Sequence, residues 1–226
     1  MQPDLQSIRA GTADASAGAL APDRLSVLRN TYKLLSMTLL FSCAMAFVGT
    51  VTHIGNGTGL VLMLVGLGLL FATMALRNSG WAILLVFAFT GIEGLSLGPI
   101  LNQYLSMKNG GETIMMAGGL TAAVFLSLTA YTLISKKDFS FLGSFLFAGL
   151  IVLVLASLIG LFVGGVQFQL MLATAGALIF SGYILYDTSQ IINGGQTNYV
   201  MATVSLYLDI LNLFLDLLRL IGAARD

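Results

Sequence analysis

Residues 199–221, YVMATVSLYLDILNLFLDLLRLI, are long and apolar enough to cross a bilayer, yet they carry Asp209 and Asp216 within the run. About 20 predominantly apolar residues span the hydrocarbon core as a helix. Ser205, Asp209, Asn212 and Asp216 follow one another at spacings of four, three and four, which places them on a single helical face. Leucine, isoleucine and phenylalanine cover the remainder. A charged side chain at mid-membrane costs roughly 2.5–3.5 kcal/mol on insertion scales, so the polar stripe is expected to point into a bundle of neighbouring helices.

The preceding run, SGYILYDTSQII (residues 181–192), carries a second intramembrane carboxyl, Asp187. Working back towards the N-terminus, seven apolar runs appear at 30–52, 58–76, 81–104, 113–134, 140–163, 168–192 and 199–221. They are joined by short polar connections such as Arg77-Asn78-Ser79-Gly80 and Asn193-Gly194-Gly195. The chain is 57% hydrophobic and 9% charged, against about 25% charged in a typical soluble domain. An all-α, polytopic membrane protein of seven spans is expected, with residues 1–29 as a flexible polar cytoplasmic tail and residues 30–226 as the transmembrane domain. The tail lacks the apolar stretch of a signal peptide, and its Asp4, Asp14 and Asp23 read as solvated charges.

Ten basic and ten acidic residues cancel, so no polyanionic partner such as nucleic acid is expected. Orientation follows the distribution of Lys and Arg. With the N-terminus inside, seven fall on inner segments (Arg9, Arg24, Arg29, Lys33, Arg77, Lys136, Lys137) and three on outer ones (Lys108, Arg219, Arg225). The expected topology is a cytoplasmic N-terminus and an external C-terminus. Cys43 is the only cysteine, in an apolar stretch where a packing role is expected. His53 is the only histidine, so a transition-metal centre has little support. Gly66 and Gly68, Gly94 and Gly98, and Gly118 and Gly119 are small residues that permit close helix approach, and Pro99 is placed to kink the third span.

Asp209 lies about 15 Å into its span and Asp187 about 7 Å from the inner end of its own, at 1.5 Å per residue. If the two carboxyls meet, both cannot hold full charge cheaply in a low dielectric, and they titrate as one unit. Such a pair suits a shared proton or a weakly held cation. Calcium prefers six to eight oxygens, so two carboxylates with carbonyls and water would bind it weakly, as passage requires. No tightly bound cofactor is expected. Asp216, three residues before Arg219, reads as half of a helix-end ion pair as well as a candidate pathway group alongside Asn212. Glu93, in FTGIEGLSLGPI, is either a pathway residue or a structural hydrogen-bond partner. Arg77 is either a latch to the carboxylates or an ordinary topology charge.

The segments LRNTYKLLSMTLLFS, FTGIEGLSLGPILN, KKDFSFLGSFLFAGL, YILYDTSQIINGGQTNYV and ATVSLYLDILNLFLDLLRLIG resemble the transmembrane Bax inhibitor motif family, specifically its bacterial YccA-like branch. The resemblance covers nearly everything after the tail. It implies a seven-helix fold around a central helix. Calcium-leak members of that family carry a pH-sensing aspartate pair matching Asp187 and Asp209, with a latching arginine that Arg77 matches less firmly. YccA-like members are associated instead with modulating the membrane AAA protease FtsH, and GGQTNYVMATVSLY looks like that branch.

Two expectations follow. One is a pH-sensitive cation (calcium) leak gated by the aspartates; the other is a regulator of a bacterial inner-membrane protease, with the tail as a candidate handle. Enzymatic activity is not expected. Tyr186-Asp187 resembles the first motif of intramembrane aspartyl proteases, but the Gly-x-Gly-Asp of their second motif is missing, and Ser181 has no intramembrane histidine partner.

Overall fold

A computed structural model describes residues 21–163 and 165–225. Over these residues the chain forms α1 (Pro22–Val51), α2 (Asn56–Ala75), α3 (Ala82–Ser96), α4 (Gly98–Leu105), α5 (Gly110–Ser135), α6 (Gly143–Val163), α7 (Val166–Asn193) and α8 (Tyr199–Arg225), with a 3-10 turn at Ser140–Leu142. Helices α3 and α4 form one span interrupted at Leu97, where Pro99 opens the second segment. Six spans combine length with apolarity. The seventh, α8, carries Asp209, Asp216 and Arg219, yet at 27 residues it is roughly 40 Å long and reaches across a bilayer.

Helix α1 starts earlier than its apolar run. Pro22 stands in its first turn with Asp23 beside it, a pre-set φ and an anion at the positive end of the helix dipole. Residues 22–29 are therefore helical, which corrects the expected tail boundary at residue 29. Residues 1–20, including Asp4, Asp14 and Arg9, lie outside the described residues.

The charges of α8 explain its place. It packs against α1, α3, α5 and α7 and buries residues around its circumference, among them Val200, Thr203, Tyr207, Leu213 and Leu218. Enclosure by other helices keeps its polar groups out of lipid. Tyr207 ties this central helix to two others. Its ring meets Phe89 of α3 edge-on at 5.6 Å, its hydroxyl donates to Thr90 O at 3.2 Å, and Ser42 Oγ of α1 lies 2.7 Å away as its donor.

Helices α1 and α3–α4 approach backbone to backbone at Gly49, Gly94 and Gly98. A methyl group on Gly98 would sit 2.5 Å from Gly49 O, and one on Gly94 would strike the Ser42 carbonyl. By contrast, Gly68, Gly118 and Gly119 have nothing within 4 Å of an added Cβ, so the expected close packing does not hold at those three. Cys43 is exposed and lines an apolar groove of about 700 Å³ beside α1, α5 and α8. Its expected packing role is corrected, because in a membrane an apolar stretch is as free to face lipid as the core.

Candidate functional site

The site is built on α7 and α8, which run antiparallel through the connection at residues 194–198. Gly194 turns the chain with φ 82°, a left-handed conformation that glycine adopts freely. Asn198 then caps α8, its Oδ1 accepting from Val200 N and Met201 N, both at 3.0 Å. The Asn198 amide also donates to Asn78 Oδ1 at 2.9 Å and Arg77 O at 3.1 Å, fastening this turn to the one between α2 and α3. At the same end Arg24 Nη1 donates to Ile192 O at 3.4 Å, a cation where the carbonyls of α7 end. Arg24 reads from the sequence only as a topology charge and Asn198 carries no expected role, although an asparagine just before an apolar run is a capping signal.

Asp187 and Asp209 come together. Their carboxyls lie within hydrogen-bonding reach of one another, and the Ser205 hydroxyl reaches Asp187 as well. Asp209 is only 5% exposed, and among the described residues no donor reaches its Oδ2. Two carboxyls in contact form a hydrogen bond only when one carries a proton, because ionised carboxylates accept and do not donate. Ser205, one helical turn before Asp209, lines the same space as the pair.

The rest of the stripe shares the same space. Ser205, Asp209, Asn212 and Asp216, with Asp187, wall a cavity of about 800 Å³ bounded by α2, α6, α7 and α8. Asn212 turns its amide back to Leu208 O at 2.8 Å. Asp216 is 6% exposed, lies against Gly176 of α7 and pairs with Arg219 Nη1 at 3.6 Å. A smaller cavity of about 140 Å³ lies at the α7–α8 turn, lined by Tyr186, Gln190, Gly195 and Gln196. Asp187 and Ser205 belong to the walls of both. Asp187 therefore borders both cavities, while Asp209 faces the larger one alone.

Two candidates lie elsewhere. Arg77 is exposed and among the described residues forms no ion pair with either aspartate; what it offers the α7–α8 turn is its backbone carbonyl. Glu93 does not wall the acidic cavity. It points from α3 at Gly66 of α2, whose missing side chain makes room for the carboxyl. Among the described residues no three histidine, cysteine, aspartate or glutamate side chains converge in a metal-binding arrangement.

The family model described as "Inhibitor of apoptosis-promoting Bax1" matches residues 24–226. The chain is 50% identical over 197 residues to an uncharacterized membrane protein of Vibrio cholerae, covering 87% of this chain and 88% of that protein. It is 48% identical over 202 residues to the protein of Escherichia coli K12 named modulator of FtsH protease YccA, covering 88% and 91%. Similarity extends to mouse protein lifeguard 4, at 38% identity over 216 residues, covering 92% and 89%.

Proposed function

The chain belongs to the Bax inhibitor/YccA-like family of multi-pass membrane proteins, and on that premise we propose that it is a non-enzymatic regulator of an FtsH-type protease in the bacterial inner membrane. The observation that carries this reading is the 48% identity, over nine-tenths of its length, to a relative named as a modulator of that protease. The architecture is in keeping with it. Connections between the described helices are short, so contact with another membrane protein has to be made largely within the bilayer or through the N-terminal segment. Helix α6 has the surface for it: its main helix neighbour is α7, and Phe145, Phe147, Val152 and Ile159 are exposed along its length. We place the N-terminus in the cytoplasm, as the excess of Lys and Arg on that side requires.

The test is capture from native membranes. Tagged chain, cross-linked in the cell before solubilisation, is expected to recover the FtsH-type protease, and a chain lacking residues 1–20 is expected to recover less if the tail is the handle. Recovery of the tagged chain without the protease in cross-linked membranes would sink the proposal.

One observation favours a second reading, a pH-sensitive cation (calcium) leak. Asp187 and Ser205 wall both the large cavity and the small polar one, so a change in the protonation of the pair alters the charge between them. With both carboxylates ionised, repulsion pushes α7 from α8 or draws in a cation. Calcium flux into proteoliposomes at mildly acidic and neutral pH, with Asp187→Asn and Asp209→Asn as comparisons, decides it. Flux equal to that of empty liposomes at each pH removes this reading and leaves the regulatory one standing.

A further inference from the structure

We propose that the cavity of about 800 Å³ is a binding site for an amphipathic organic cation, an ammonium head on an apolar body, that enters sideways from the bilayer. This goes beyond the regulatory reading and does not rest on it.

The first observation is where the cavity opens. Met63 of α2 and Val154 and Leu158 of α6 line it and leave 50%, 51% and 53% of their surfaces exposed. Helices α2 and α6 share little packing, each leaning instead on α3 and α7 respectively. Val154 and Leu158 lie roughly 16 and 22 Å along α6 from Gly143, at 1.5 Å per residue. That is the depth of hydrocarbon, so the opening faces lipid tails.

The second observation is what waits inside. Asp209 lines the cavity, and among the described residues its buried Oδ2 meets no donor other than the proton that the Asp187 carboxyl can itself carry. A buried acceptor left without a donor carries a desolvation cost that a donor from outside removes. An N–H of an ammonium head supplies the donor and the charge together. Phe180 and Tyr183 line the same cavity, and aromatic rings are groups that attract a cation. At the other end Arg219 is matched by Asp216, so the head is directed to the Asp187–Asp209 end.

The third observation is the apolar remainder. Leu150, Leu153 and Leu172 also line the cavity. A hydrated metal ion neither crosses hydrocarbon nor gains from such walls, whereas a molecule with one cationic end and an apolar body does both. The volume is within the range of about 300–1,000 Å³ of small-molecule sites.

The test uses full-length protein in lipid nanodiscs and dansylcadaverine, a fluorescent amphipathic amine, with its N-acetylated form as the neutral control. Signal from empty nanodiscs is subtracted. Saturable binding of the amine is expected, with affinity at least about tenfold above that of the acetylated form and a comparable loss in Asp209→Asn. Val154→Trp, at the half-exposed mouth of the cavity, narrows the opening and is expected to slow association. Equal affinity of the amine and its acetylated form, or binding to both variants indistinguishable from the original, overturns the proposal.

Discussion

Replacing Gly98 by alanine tests the helix contact on which the bundle is assembled. The new methyl carbon would lie 2.5 Å from Gly49 O, 2.6 Å from Gly49 C and 2.9 Å from Gly49 Cα, where ordinary contact begins at 3.4 Å. These are backbone atoms of α1, which cannot rotate aside, so α1 and α4 must part by roughly 0.9 Å across a close-packed interface. Overpacking of this kind costs about 1–3 kcal/mol, and the absence of a flexible neighbour puts Gly98→Ala at the upper end. Gly118→Ala and Gly119→Ala, on α5 with open space around them, are the controls. They gain up to about 1 kcal/mol of helix propensity at no steric cost. Unfolding in mixed micelles by SDS titration, followed by circular dichroism, is expected to separate Gly98→Ala from either control by about 3 kcal/mol. If Gly98→Ala unfolds at the same SDS fraction as Gly118→Ala, the reasoning about backbone contact between α1 and α4 is wrong.

Tyr207→Phe keeps the ring against Phe89 but leaves the buried Ser42 hydroxyl without its partner, and the same titration is expected to show a loss of about 1–3 kcal/mol. Asp209→Asn gives the carboxyl pair a built-in N–H donor, so its stability is expected to match or exceed that of the original chain, whereas Asp209→Ala is expected to be less stable; the reverse order would contradict the hydrogen-bonded pair. Asp138, outside the spans, accepts from the Ser140 hydroxyl at 2.5 Å and Ser140 N at 2.8 Å, and these bonds hold its carboxyl below the usual 3.8. A depressed folded-state value means a contribution present above 3.8 and lost as pH falls through the lower folded value. Carboxyl ¹³C NMR is expected to show Asp138 titrating below 3.8, and titration at or above it would remove the turn.

The seven spans are legible because a bilayer demands a run of apolar residues of fixed length, and that demand is local. The expected 58–76 and 113–134 correspond to Asn56–Ala75 and Gly110–Ser135. The stripe on α8 is legible for the same reason, since spacings of four, three and four fix one face whatever surrounds it. The meeting of Asp187 with Asp209 depends on the rotation and relative depth of two helices, which no single-helix period sets. Apolar content also misses the start of α1: DRLSVLR is too polar for a span, and the signal there is Pro22 with Asp23. In lipid, moreover, apolarity ceases to report burial. Cys43, Gly118 and Gly119 sit in runs as apolar as the core and face outward, and Arg77 and Glu93 were placed by charge alone.

The measurement that tests the central claim most directly is degradation of a membrane substrate by an FtsH-type protease reconstituted in proteoliposomes, with and without this chain at equal stoichiometry. The account predicts a change in degradation rate of at least about twofold that disappears when the chain is reconstituted in separate vesicles. An unchanged rate, with both proteins shown to be folded in the same bilayer, would contradict it.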